Sequence, residues 1–173
     1  MPPRIMRFDD YVVMGWANGL GETREIRRSP AEGVFDWRLS MATVTGPAPF
    51  SPFDGVTRTL AVVAGGALDL TVDGVVSRLE VGGPAFEFSG GSPAHATPVG
   101  EPVLDLNLMV RGRLSGSIHP VQGRVAPGDG ISFLVSLDTS MKTPYGELGL
   151  LDAVEVHRTF DCAGSGYLVR IAG

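Results

Sequence analysis

Short apolar runs that alternate with polar residues, cut at frequent intervals by glycine and proline, predict an all-β protein. The 173 residues include 24 glycines and 13 prolines, scattered along the chain rather than gathered into a linker. Regularly spaced breakers between runs of period two are the pattern of a β-sandwich or barrel. Helix signals are thin: Glu147 to Asp152 offers one turn, because Gly146 and Gly149 discourage anything longer.

The first clear strand covers Phe35 to Val44. Phe35, Trp37, Leu39 and Met41 share one face there, and Asp36, Arg38, Ser40 and Ala42 the other. Thr57 to Val63 places Arg58, Leu60 and Val62 together, and Leu68, Leu70 and Val72 then alternate with Asp69, Thr71 and Asp73. Asp73-Gly74 predicts a tight hairpin, and Gly65-Gly66 a second turn. Further strands are expected at Ala85–Phe88, Val103–Val110, Ile131–Leu137, Ala153–Phe160 and Tyr167–Ile171, with strand plus loop between Gly112 and Gly130. The run Leu79 to Phe86 finds a faint echo in Leu148 to Val154.

A chain of this length suits one domain and buries roughly 70% of its unfolded surface. Hydrophobic residues make up 43% and charged residues 19%, as in a well-packed globular protein. The formal net charge of −5 argues against nucleic acid or anionic lipid as a partner. Cys162 is the only cysteine, so no internal disulfide forms, which fits a reducing cytoplasm. The opening Met-Pro-Pro-Arg-Ile-Met-Arg-Phe-Asp-Asp has no signal-peptide core, and no run nears the ~20 apolar residues of a membrane span.

Several chemistries are disfavoured by their missing parts. His95, His119 and His157 stand far apart with no His-x-His pair, so no metal site and no cofactor is expected. No Gly-x-Ser-x-Gly elbow occurs, and Cys162 has no identifiable base. Gly19-Leu20-Gly21 lacks the third glycine and the strand-to-helix setting of a dinucleotide site.

The positive evidence is polar residues gathered on one face of strands whose other face is apolar. In Val103–Val110, alternation sets Asp105, Asn107, Met109 and Arg111 opposite Leu104, Leu106, Leu108 and Val110. Asp and Asn have poor strand propensity, so a polar face of this kind reads either as solvated surface or as the mouth of a ligand pocket. Arg58 lies in an otherwise apolar strand. It needs either an ion-pair partner, Asp105 or Glu25, or an anionic ligand. Arg24 and Arg38 allow the same two readings, with Arg38 the more structural one beside Asp36. The stretch Trp16 to Ile26 concentrates an aromatic, Asn18, Gly19, Gly21, two carboxylates and Arg24 in eleven residues. Phe50-Ser51-Pro52-Phe53 predicts a turn at a barrel rim, where Ser51 can reach a ligand.

Taken in order, the stretch from Trp16 to Ile26, Phe35 to Ala42, Phe50 to Phe53, Arg58-Thr59-Leu60 and Asp105 to Arg111 resembles the HutD/Ves family of small cupin proteins. The resemblance implies a cupin jelly roll, with two fused barrels (a bicupin) over residues 1–173 whose approximate halves, 1–112 and 113–173, do not separate. It also implies a polar pocket lined by motif residues, expected to be Asn18, Arg24, Ser51, Arg58, Asp105 and Asn107. The implied role is auxiliary or regulatory, near histidine catabolism, though some family members are linked with stress instead, with N-formylglutamate and urocanate as candidate ligands. The rival is a metal-free isomerase or lyase with Asp105 or Glu25 as base, and a third reading is an interaction module. The expected partner is thus a small anionic metabolite, with a homodimer left open.

Overall fold

A computed structural model describes residues 2–173. Among the described residues there are fourteen strands, and the only helical turn is a 3-10 turn at Phe8–Asp10. The strands are β1 (Val12–Gly15), β2 (Gly21–Ser29), β3 (Trp37–Val44), β4 (Ala48–Pro49), β5 (Val56–Val72), β6 (Val75–Leu79) and β7 (Phe86–Ser89). They continue as β8 (Ala94–Arg111), β9 (Ser115–Val125), β10 (Ile131–Ser136), β11 (Met141–Thr143), β12 (Gly146–Leu148), β13 (Ala153–Glu155) and β14 (Phe160–Ala172). Among the described residues, no helix is long and apolar enough to cross a membrane.

The first eight strands form one sheet in the order β1-β2-β3-β8-β5-β6, with β4 added to β8 and β7 to β5. A second sheet runs β13-β10-β14-β9, and β11 and β12 form a separate hairpin. Alternation decides how the sheets meet. Trp37, Leu39 and Met41, with Ala61, Val63, Leu106, Leu108 and Val110, pack against Phe133, Val135, Tyr167, Val169 and Ile171 of the second sheet. The opposite face of the first sheet holds a second apolar cluster around Leu60, Val62, Leu68, Leu70, Phe88 and Val103. A third, around Leu134, Met141, Leu148, Val154 and Phe160, fills the second sheet's other side.

The Asp73-Gly74 hairpin forms between β5 and β6, with both residues at positive φ (50° and 81°) as a type I′ turn demands. Gly65-Gly66, expected as a turn, is corrected by the structure: β5 runs straight through it, paired with β8 from Val56 to Val72. The pair instead marks register shifts at Val62/Ala64 and Gly65/Ala67. A Cβ on either glycine would strike a carbonyl of β8, Pro102 or Val99, so the glycines serve a bulge and a close backbone approach. The helical turn expected at Glu147–Asp152 is also absent. Glu147 belongs to β12, and the following turn is tied by Asp152, whose carboxylate accepts from the Gly149 and Phe8 amides. The strand expected at Ala153–Phe160 is two pieces, β13 and the start of β14.

Candidate ligand-binding site

Three central strands build the floor of the site through their register. Arg38 on β3, Met109 on β8 and Arg58 on β5 stand side by side, with Phe88 of β7 beside Arg58. The next row holds Glu25, Ser40, Asn107 and Leu60, and the one after it Thr23, Ala42, Asp105 and Val62. Cross-strand neighbours share a face, so this face grades from cationic, through amide and hydroxyl, into the apolar cluster around Val62. Over the polar end lies a cavity of about 310 Å³. The β1–β2 loop walls it with Trp16, Ala17 and Asn18, and the segment before β5 with Pro49, Phe50, Ser51 and Phe53.

The loop is set by its own chemistry. Gly19 takes φ 71°, and the Asn18 side-chain Oδ1 accepts from the Leu20 amide at 3.0 Å. Gly21 lies against the Trp16 indole, where no side chain would fit. The indole Nε1 donates to Thr23 Oγ1 at 3.0 Å, fixing the ring as a cavity wall.

Arg58 is the centre of the site. It is 5% exposed, and its guanidinium lies 4.6 Å from the Phe50 ring centroid, 5.4 Å from Phe88 and 5.7 Å from Phe53. Aromatic faces attract the cation, but no carboxylate stands within ion-pair distance of it among the described residues. Its Nη2 donates to Asn107 Oδ1 at 3.2 Å, and its Nε is buried without a partner. Burial pushes its pKa down to about 10, opposed by Asp105 and assisted by Arg38. Asn107, 3% exposed, passes the contact on: its Nδ2 donates to Asp105 Oδ1 at 2.8 Å. Asp105 is fully buried and its Oδ2 has no partner. Burial raises its pKa to about 7, against the opposing pull of the Asn107 hydrogen bond, the Arg58 charge and the Ala42 backbone amide.

Of the six residues expected at the site, Asn18, Ser51, Arg58 and Asn107 line the cavity. Asp105 sits beneath Asn107, joined to the cavity only through that amide. Arg24 is a correction. It pairs across β2–β3 with Met41, so it shares the core-facing side, where it stacks 4.7 Å over Phe8 and pairs with Glu22. Strand parity is the reason: Thr23 and Glu25 face the site, so Arg24 between them cannot. Arg38 lines the cavity, and its Nε donates to Glu25 at 2.9 Å rather than pairing with Asp36. Its position two residues before Ser40 and on the same face was the signal for it. Trp16, Phe50, Phe53 and Met109 complete the walls.

A family model described as HutD matches residues 8–131, a span that contains the whole cavity. The chain belongs to the HutD family. The solved structure of HutD from Pseudomonas fluorescens SBW25, in a formate condition, superposes with a TM-score of 0.87 at 30% identity over 98% of both chains. An uncharacterized 21.2 kDa protein in the hutC 3′ region of Pseudomonas putida is 40% identical over 108 residues, 61% of this chain and 57% of the relative. Protein Ves of Citrobacter koseri is 41% identical over 99 residues, 56% of this chain and 51% of Ves. The matches thus span about half the length of these curated relatives.

Proposed function

We propose that this HutD-family chain binds a small carboxylate metabolite in the Arg58 cavity without a metal. The role is auxiliary or regulatory, near histidine catabolism and in the cytoplasm. The observation that carries this reading is a nearly buried guanidinium with an unpartnered Nε and no carboxylate at ion-pair distance among the described residues. An uncompensated buried cation is costly, and a carboxylate entering the cavity meets the planar fork it needs. The position of the Pseudomonas putida relative in the hutC region supports the pathway, and N-formylglutamate and urocanate are carboxylates that suit the charge. Two fused cupin jelly rolls, inseparable as halves 1–112 and 113–173, are our reading of the fold. Its support is that the first sheet draws on residues 12–111, the second on 115–172, and both share one core.

The enzyme alternative has less support. Asp105 is sealed behind Asn107, and Glu25 is held by Arg38, so neither is poised to take a proton from a substrate. For metal, His95, His119 and His157 are exposed and lie apart, and no cluster of three or more ligating side chains exists among the described residues. Elemental analysis is expected to find no stoichiometric Zn, Fe, Mn or Ni, and chelator to leave the Tm unchanged.

A thermal-shift titration with N-formylglutamate and urocanate tests the function. A ligand at about 100 times its Kd stabilises the fold by roughly 2.7 kcal/mol, a rise of roughly 5–10 °C for a domain of this size. Arg58→Ala and the shape-retaining Arg58→Met are expected to stay folded, because no ion pair is broken, and to lose that shift. Undiminished binding in a soluble Arg58→Met protein removes Arg58 from the site. A wild type that no small carboxylate stabilises favours the interaction-module reading.

A further inference from the structure

We infer that the cavity takes up one proton together with its anion and that Asp105 receives it. The inference rests on the reading that Arg58 holds a carboxylate. Arg58 and Asp105 share one amide: Asn107 Oδ1 accepts from the guanidinium at 3.2 Å, while its Nδ2 donates to Asp105 Oδ1 at 2.8 Å. Asp105 is 0% exposed, and its second oxygen is buried with no partner among the described residues. Its lateral neighbours are apolar, Ala42 on β3 and Val62 on β5. The charged groups on this face are few. Strand β3 contributes Arg38, already paired with Glu25 of β2, and β5 contributes Arg58; β8 itself adds Asn107, Met109 and, at its far end, Arg111, which donates to the Phe35 and Asp54 carbonyls.

Arg58 is therefore the charge that favours an ionised Asp105, acting against burial. An anion that pairs with Arg58 offsets that field at Asp105 without reaching it. Burial then wins, and a proton from solvent binds the unpartnered Oδ2, converting carboxylate to carboxylic acid with no other bond changed. The buried site gains an anion and a proton, so its net charge stays constant. Linkage makes the effect reciprocal: protonating Asp105 tightens the hold on the anion.

Sodium formate, the smallest carboxylate, is the probe, with sodium chloride at equal ionic strength as control. Titration calorimetry in buffers of different ionisation heat is expected to show uptake of up to one proton per formate bound near pH ~7.5. The affinity is expected to fall as pH rises above about 7, by at most about tenfold per unit for a single linked proton. Asp105→Asn, which keeps the oxygen that Asn107 contacts, is expected to bind formate with no proton uptake and no pH dependence over that range. In wild-type protein carrying 13C-labelled aspartate, one carboxyl resonance is expected to move to the protonated position on adding formate. Formate binding that is pH-independent, or proton uptake that survives in Asp105→Asn, overturns the assignment while leaving Arg58 as the anion site. Absence of formate binding in wild type and variant at every pH overturns the carboxylate reading, and this inference with it.

Discussion

Asp105 is the most costly residue of the site, and its cost has a pH signature. Burial raises its carboxyl from 3.8 to about 7, so between those values the native state holds a proton that the unfolded chain has released. Its contribution to stability is greatest below about pH 4, declines as pH rises and is flat above about 7, with a slope of at most about 1.4 kcal/mol per unit. Asp152, held below its usual value by the Phe8 and Gly149 amides and by Arg7 despite burial, has the opposite sign, losing stability as pH falls. The informative quantity is therefore the difference between Asp105→Asn and wild type. Chemical unfolding is expected to show the variant gaining on wild type from about pH 4 to about pH 7; a constant difference would mean that Asp105 stays ionised. At this scale the sequence was partly legible. Asn107 and Arg58 were readable because Asp, Asn and Arg are poor fits to an apolar strand, but Arg24 was misplaced because the register of β2 on β3 is invisible in one strand.

Among the elements, the long β5–β8 ribbon carries Arg58, Asp105, Asn107 and Met109, and its bulges at Val62/Ala64 and Gly65/Ala67 lie between the site end and the Asp73-Gly74 hairpin. Gly65 has φ 90° and no room for a Cβ beneath the Pro102 carbonyl, whereas Gly100 has φ 85° and open space. Both substitutions to alanine incur the ~1–3 kcal/mol of an unfavourable backbone conformation, but only Gly65→Ala adds a clash with backbone. Thermal melts are expected to show a clearly larger loss for Gly65→Ala than for Gly100→Ala; equal losses would mean that the close approach carries no weight. A glycine pair signals a turn and a bulge equally well, which is why Asp73-Gly74 was readable and Gly65-Gly66 was not. The first half of β8 escaped notice for a related reason. Pro98, Gly100 and Pro102 read as breakers, yet that segment keeps pairing with β5 apart from the bulges.

Across the molecule, the two sheets are held by one apolar layer and by a polar tie through it. Tyr167 on β14 is fully buried, and its hydroxyl donates to the Gly83 carbonyl at 2.7 Å, beyond the end of β6. Burial pushes that hydroxyl's pKa up to about 12. Tyr167→Phe removes the donor and leaves a carbonyl unsatisfied, at a cost of about 1–3 kcal/mol. The expected readout is a Tm lower by roughly 2–12 °C with formate binding unchanged, since the tie lies outside the Arg58 cavity. An unshifted Tm would mean that the Gly83 carbonyl finds another donor.

Period-two alternation by itself determined the all-β class, which residues share a face of each central strand and that Arg58 stands among apolar neighbours, because those depend only on residue order along one strand. Tertiary structure alone decided who stands beside whom. Register put Arg38, Met109 and Arg58 in one row, turned Arg24 to the core and left Asp105 sealed behind Asn107. The physical reason is that strand alternation is a local property, whereas a cavity is made by pairing between segments far apart in sequence, and a shift of one residue reverses every side chain on the strand.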